Sequence, residues 1–522
     1  LGRVFLMDAS QPPDINWFNI ELFIHCKPHS SDPFKDPAPH VDRTDHNFVR
    51  NNRAANESRD QMILYASAQL TMQLRQFCFS ISIAKGNEAR LMRWDRGGVI
   101  VSECFDFVKN PALLLEFFWR FSHLELEQRG IDTSASSPTA EEVAMAVEGK
   151  IFGEGDRLHK IGIKNEADGN GACGSSTRGY IAMDVETGER VWVKDAWRVD
   201  TPETGAPKEF VIYEKLHNSQ VSNIPQFRSG GDVGEQKTRT HEYQDEPWCC
   251  GERDASDRIV PYRHYRLALQ VIIGRPLEEY RSTKELCVVI LDALIALGEA
   301  YLRAGILQCD VSADNVLIAE GGRGVLVDWD QCQEMSARNI TGQDVRIGSW
   351  RFMSINTLQN EPVETIHEHH DDLESIFWLL LFHVLRYQPN VAKKVEDLEY
   401  SLKKIFDYGW KGRDGQNYGG EGKVQYLNGN SIGPEDLESA LPAPLAGLLS
   451  DLWKIFSMVH TRSPYVSEDA KKEDRDSLLS IDAMRNIFQA RLAEGHWPED
   501  DAAVDPCRPT QADGTEDRCR KE

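Results

Sequence analysis

The stretch that most narrows what this chain can fold into runs from Gln308 to Asp330. It reads Gln308-Cys-Asp310-Val-Ser-Ala-Asp-Asn315-Val-Leu-Ile318, then AEGGRG, then Val325-Leu-Val327-Asp328-Trp-Asp330. Two three-residue apolar runs separated by a six-residue, glycine-rich connection predict a β-hairpin. Asn315 immediately precedes the first strand and Asp328 immediately follows the second, so antiparallel pairing sets them side by side at the open end. An amide oxygen and a carboxylate converging there form a hard oxygen site suited to Mg²⁺ holding ATP phosphates. Asp310, five residues before Asn315 on the same loop, is placed to accept a hydroxyl proton and orient a nucleophile. Taken alone, the stretch also reads as a surface hairpin with ordinary polar ends.

Its surroundings favour the chemical reading. Ser282-Thr-Lys-Glu285 is a capping-box pattern, and Leu286, Val289, Ala293, Leu297 and Tyr301 keep helical period until Gly305 stops it. A long buried helix therefore delivers the chain into Asp-x₄-Asn, then the hairpin, then Asp. Upstream, Tyr180-Ile-Ala-Met183, the turn Glu186-Thr-Gly-Glu189 and Val191-Trp-Val193-Lys194 predict two strands, the second ending in a lysine able to neutralise phosphates. Glu209 is the carboxylate candidate to fix that lysine, because Ile212, Tyr213 and Leu216 follow it at helical spacing; Glu214 is the second choice. Gly169-Asn-Gly171-Ala-Cys-Gly174 matches GxGxxG, but strand-like sequence follows it, so a phosphate-covering flap between strands fits better than a dinucleotide fold. Gly174 to Gly179 is the alternative register for that flap. His367, His369 and His370 precede an apolar helix without a matching ligand set and read as a polar cluster rather than a metal site.

Elsewhere, Ile63, Ala66, Leu70, Leu74 and Phe77 recur with helical spacing from Asp60 onward, and Phe79, Ile81 and Ile83 alternate as in a half-buried strand. Arg90–Trp94, the turn Asp95-Arg-Gly-Gly98 and Val99–Val101 read as a hairpin, and Pro111–His123 as a strongly apolar helix. Residues 131–150 read as a linker into a short helix. The formal charge of −24 argues against a nucleic-acid binder, which needs a basic face. No apolar run reaches membrane-spanning length, and the first residues lack the pattern of a secretory signal, so no membrane association and no secretion are expected. Eleven cysteines without a CxxC pair read as intracellular free thiols, with Cys249-Cys250 and Cys507 and Cys519 as the pairs able to ligate metal or bridge.

From about residue 60 to 500 the chain resembles the fungal-type protein kinases. The likeness rests on ARLMRWDRGGVIVSECFDF, PALLLEFFWRFSHLELEQRG, VWVKDAWR, HYRLALQVIIGRPLEEY, DVSADNVLI, VLVDWD, GSWRFMS and HHDDLESIFWLLL, in that order. The resemblance implies an α+β chain with a bilobal protein-kinase-like fold, a β-rich N-lobe and a mainly α C-lobe, preceded by a small α+β domain. The expected boundaries are an irregular lead-in at 1–58, that small domain with its linker at 59–150, the N-lobe at 151–228, a polar insert loop at 229–262, the C-lobe at 263–496 and a loose acidic tail at 497–522. By resemblance Lys194 is the ATP-phosphate lysine, Glu209 its helix partner, Asp310 the catalytic-loop base, and Asn315 and Asp328 the Mg²⁺ ligands, with Gly171 and Gly174 in the phosphate flap. The implied activity is transfer of phosphate from ATP to serine or threonine hydroxyls of a protein. The chain departs from the family where His-Arg normally precedes the catalytic Asp: Gln308 and Cys309 stand there, removing an activation-loop phosphate sensor and weakening support for the loop. Ser312 stands where many such enzymes have a lysine, and Asp330 where a glycine is usual. A pseudokinase that binds nucleotide or partners without turnover, and a small-molecule kinase, are the alternatives.

Overall fold

The computed structural model describes residues 4–7, 17, 20–27, 31–43, 46–84, 86–135, 139, 141, 177–184, 187, 189–201, 208–250, 258–272, 274–337, 348–361, 366–388, 394–429, 437–460, 478 and 480–507. The chain is mixed α+β and divides into two compact units, Leu1–Ala206 with Phe227–Val271, and Pro207–Gln226 with Ile272–Glu522.

In the first unit, β1 (Val4–Met7), β2 (Leu22–Lys27), β3 (Phe77–Ala84), β4 (Glu88–Asp95) and β5 (Gly98–Val101) lie side by side in that order, and β6 (Phe105–Asp106) also pairs with β4. The first three strands run parallel and the next two antiparallel. β2 corrects the expectation of an irregular lead-in. A strand covered on both faces reads as a short apolar run without alternation, and Leu22-Phe-Ile is easily lost among neighbouring Pro, Asp and His. Helix α1 (Arg53–Met72) starts earlier than Asp60 because Asn52 Oδ1 accepts the Ala55 N–H at 3.0 Å as an N-cap. Helix α2 (Pro111–His123) has the bounds expected of it. Met62, Ala66 and Leu70 of α1 join Phe23, Cys78, Met92 and Trp94 in one core, while Phe121 of α2 joins Leu22, Ile24, Ile81 and Ala89 in another. The sheet is thus buried on both sides, which corrects the half-buried reading of β3: Ser80 is covered, its Oγ accepting the Trp94 Nε1–H at 2.8 Å.

A second, antiparallel sheet has the order β7 (Arg178–Met183), β8 (Arg190–Val199), β10 (Tyr262–Gln270), β9 (Phe227–Lys237). Two expectations change here. β8 does not end at Lys194 but continues to Val199, because the charge at Asp195 is matched by arginines on both neighbouring strands. β9 occupies the start of what reads as a polar surface loop. Its glycines disfavour strand, but β10 supplies a partner ladder, with two register shifts along it.

The second unit opens with α3 (Glu209–Asn218), whose buried Glu209, Ile212, Tyr213 and Leu216 form the face anticipated from spacing. Helix α4 (Thr283–Glu299) is capped by Ser282, whose Oγ accepts the Glu285 N–H at 3.2 Å. The Glu285 carboxylate turns to the Arg281 N–H and to Arg275 instead of completing the box. Strands β11 (Gly274–Pro276), β13 (Val316–Ala319) and β14 (Arg323–Leu326) form a sheet, and β12 (Ile306–Leu307) pairs with β15 (Gln333–Glu334). After α5 (Ile355–Gln359), helix α6 (His369–Tyr387) is buried along nearly its whole length, and a helix apolar all round belongs in a core. Further helices follow at Val395–Leu402, Glu421–Leu427, Ala443–His460 and Asp482–Ala493. The start of the expected loose tail is docked: Asp501 caps α4 through the Thr283 N–H at 2.9 Å, and Asp505 pairs with Arg386 at 3.0 Å.

Candidate active site

Helix α4 passes through one wider turn and stops at Gly305, which adopts φ +64°, a conformation that costs glycine little. Two residues of β12 then bring the chain to Gln308. Its side chain is wholly buried and works twice: Oε1 accepts the Asp310 N–H at 2.7 Å, and Nε2 donates to the Asp328 carbonyl at 3.0 Å. The loss of support expected from a missing histidine is therefore corrected, since a glutamine amide has both a donor and an acceptor with which to tie the loop to the end of the hairpin. The same loop is held from below by Asp372 in the first turn of α6. Its two carboxylate oxygens accept the Gln308 and Cys309 N–H groups at 3.0 and 3.1 Å.

Asp310 is braced on three sides. Its Oδ1 accepts the Ser349 N–H at 2.7 Å, and Asn315 Nδ2 donates to its carbonyl at 2.8 Å and, more weakly, to its Oδ2 at 3.3 Å. Gly348, at φ +104°, makes the Ser349 approach possible: a Cβ there would sit 2.6 Å from the Cys309 carbonyl oxygen. Asn315 spends its amide N–H₂ on Asp310, which leaves Oδ1 as the atom with which it could meet a cation.

The hairpin is shorter in its turn than the apolar runs suggest. Ala319 pairs with Arg323, so three residues rather than six make the connection. Asn315 stands opposite Val327, whose N–H reaches its carbonyl at 2.9 Å, and Asp328 lies one residue further on rather than directly beside it. There the chain turns sharply: Asp328 has φ +57°, its N–H donates to the Tyr213 hydroxyl of α3 at 3.1 Å, and the following Trp329 is fully buried. Non-glycine residues in this region are uncommon and cluster at functional sites; Cys309, at φ +65°, is a second one on the same frame. The second unit thus brings Asp310, Asn315 and Asp328 onto one hydrogen-bonded frame, with an amide oxygen and a carboxylate suited to a hard cation.

Around this frame the charges are paired. Burial alone would push His367 down, but the Asp372 carboxylate, 2.8 Å away, holds it above the usual imidazole range. Burial pushes the Cys309 thiol up, so it stays neutral. His369 stacks on Tyr301 with ring centroids 4.1 Å apart, and His370 sits 3.2 Å from Glu368, so each of the three histidines has its own neighbour.

Glu209, 4% exposed, begins α3 of the second unit. Lys194, 2% exposed, lies on β8 of the first unit, opposite Gly179 and Leu267. Gly179 is therefore part of a strand, while Gly169, Gly171 and Gly174 lie outside the described residues. Among the described residues one acid and histidine group has metal-like spacing: Asp132, Asp195 and His264, with ligand atoms within 4.8 Å of one another. Arg178 and Arg266 already neutralise its two carboxylates, so it is an ion-pair network. No two described cysteines are joined in a disulfide, and no described helix is long and apolar enough to cross a membrane.

Sequence reasoning missed the bracing by Gln308, Ser349, Asp372 and Tyr213. For Asp372 a signal was available, since acids at the mouth of an otherwise apolar buried helix need partners.

A loop acid held by an amide, a left-handed Asp after a two-stranded hairpin, and a buried helix acid beneath them make one braced frame of oxygen groups. A family model described as fungal protein kinase matches residues 45–384, more than half of the chain, and the chain belongs to that family. No curated protein matches it.

Proposed function

We propose that the chain transfers the γ-phosphoryl group of ATP to serine or threonine hydroxyls of a protein. ATP with Mg²⁺ would supply the transferable group and the counter-charge around it. Asp310 receives the hydroxyl proton and orients the attacking oxygen through its Oδ2 edge, because Oδ1 is occupied by the Ser349 N–H. Asn315 Oδ1 and the Asp328 carboxylate are the oxygen ligands that would hold Mg²⁺. Lys194 neutralises phosphate charge, a role assigned from its place in the family pattern. Most of the rate comes from positioning and charge neutralisation, so the frame matters more than any covalent step.

The observation that carries this reading is the Gln308 side chain, which ties Asp310 to Asp328 and restores the support that the altered motif removes. The second reading, a nucleotide-binding pseudokinase, is favoured by Cys309, a neutral thiol where the family carries an arginine. The −24 charge and the free thiols fit an intracellular enzyme with a protein substrate rather than a nucleic-acid partner. The deciding experiment incubates the full chain with radiolabelled ATP and Mg²⁺ in the presence of general protein acceptors. Transfer that is lost in Asp310→Asn supports catalysis. Saturable ATP binding with no transfer to the chain or to any acceptor selects the pseudokinase.

A further inference from the structure

Asp195 follows Lys194 directly in β8, so the two side chains leave opposite faces of the sheet. On the Asp195 side the cross-strand neighbours are Arg178 of β7 and Arg266 of β10, which makes a row of arginine, aspartate, arginine across three strands, buried at Arg178 and Asp195 and half-buried at Arg266. Arg178 binds Asp195 Oδ1, and Arg266 Nε donates to Oδ2 at 2.9 Å. His264 Nε2 is 3.0 Å from Oδ2, close but poorly aligned for a hydrogen bond. Both arginines then reach outward to the layer built from the first 135 residues. Arg178 Nη1 donates to the Thr71 carbonyl in the last turn of α1 at 2.8 Å. Arg266 donates to Ser134 Oγ at 2.9 Å and to Asp132 Oδ2 at 2.5 Å. Asp132 is fixed in turn by Ser134 and by Gln236 Nε2 at 2.6 Å.

Buried ion pairs add little net stability over well-packed apolar groups, but they specify geometry tightly because each planar guanidinium accepts few arrangements. Here that geometry is imposed on the residue adjoining Lys194. We propose that Asp195, with Arg178, Arg266 and Asp132, is a positioning device that sets the place of Lys194. The α/β layer of residues 53–135 is then a working part of the nucleotide-binding machinery. The inference rests on the role proposed for Lys194. A displacement of about 1 Å in a charge-neutralising group is enough to weaken binding and catalysis strongly.

The test uses the full chain, with Asp132→Asn and Asp195→Asn, each alone and combined with Lys194→Ala. Mg-ATP affinity is measured by calorimetry, KM for ATP and kcat by phosphotransfer, and melting temperature in parallel. Asp132→Asn is nearly isosteric and keeps the Ser134 and Gln236 hydrogen bonds, so it keeps the test open if Asp195→Asn fails to fold. Expected is an affinity for Mg-ATP about ten-fold weaker in Asp132→Asn, measured below a lowered melting temperature where the chain is still folded, and no further loss once Lys194 is alanine. Asp132→Glu should restore part of the loss. Parental affinity in Asp132→Asn, or an equal loss in the Lys194→Ala background, overturns the inference while leaving Lys194 its role. Affinity that ignores Lys194→Ala overturns both.

Discussion

At the scale of single residues, Gln308 decides how the altered catalytic motif is judged. A histidine offers one ring donor and one acceptor in fixed directions; the glutamine amide offers the same pair and uses both, toward Asp328 and Asp310. Gln308→Leu should therefore lower kcat by about ten-fold or more, since it leaves the Asp310 N–H and the Asp328 carbonyl without partners in a buried place. Gln308→His should retain most of the activity. Steady-state kinetics on the three proteins checks the order. Asp310→Asn should lower kcat by roughly 10²–10⁴-fold, the usual worth of a positioned base, with Mg-ATP binding retained. Binding and turnover measured on one preparation separate these effects.

At the scale of elements, two contacts dominate. β14 lies so close to α4 that a Cβ at Gly324 would stand 2.3 Å from the Val289 carbonyl oxygen, so Gly324→Ala forces hairpin and helix apart. A loss of about 3 kcal/mol is expected, read by denaturant unfolding, with the catalytic loop disturbed in step. In α6, burial pushes Glu374 up, but His460, Trp378 and the Ile355 N–H hold it down to about 2, against an ordinary value of 4.5. Its contribution is fully present above pH 4.5 and is lost as pH falls toward 2. His460→Ala leaves the carboxylate short of a partner, so acid unfolding should begin at a higher pH, and stability at neutral pH should fall by about 3–5 kcal/mol. The same scale shows what could be read beforehand. Pro111–His123, Ser282 as a cap, Gly305 as a stop and the buried face of α3 were legible because each rests on local periodicity or capping chemistry. β2, β9 and the far half of β8 were not, because partner strands distant in sequence hold them: a glycine-rich segment becomes strand on β10, and Asp195 stays in a ladder only with Arg178 and Arg266 beside it. That Asp310, Asn315 and Asp328 share one frame was legible from spacing, whereas the left-handed turn at Asp328 was not.

At the scale of the molecule, Lys194 falls in one compact unit and Asp310, Asn315 and Asp328 in the other. Mg-ATP should raise the melting temperature of the parent by mass action, and Lys194→Ala and Asp328→Asn should each remove most of that rise. Thermal-shift titration with and without Mg²⁺ checks it, and a metal-dependent rise surviving in both variants would place the nucleotide elsewhere. The charged row behind Lys194 also bears on how this polypeptide can be cut. A fragment begun at Arg178, trimmed to look like a stand-alone catalytic region, would strip the Thr71 carbonyl from one guanidinium and Asp132 and Ser134 from the other. It would open a wet, mischarged face where a sealed one had been, and it should aggregate unless the first 135 residues are supplied alongside it.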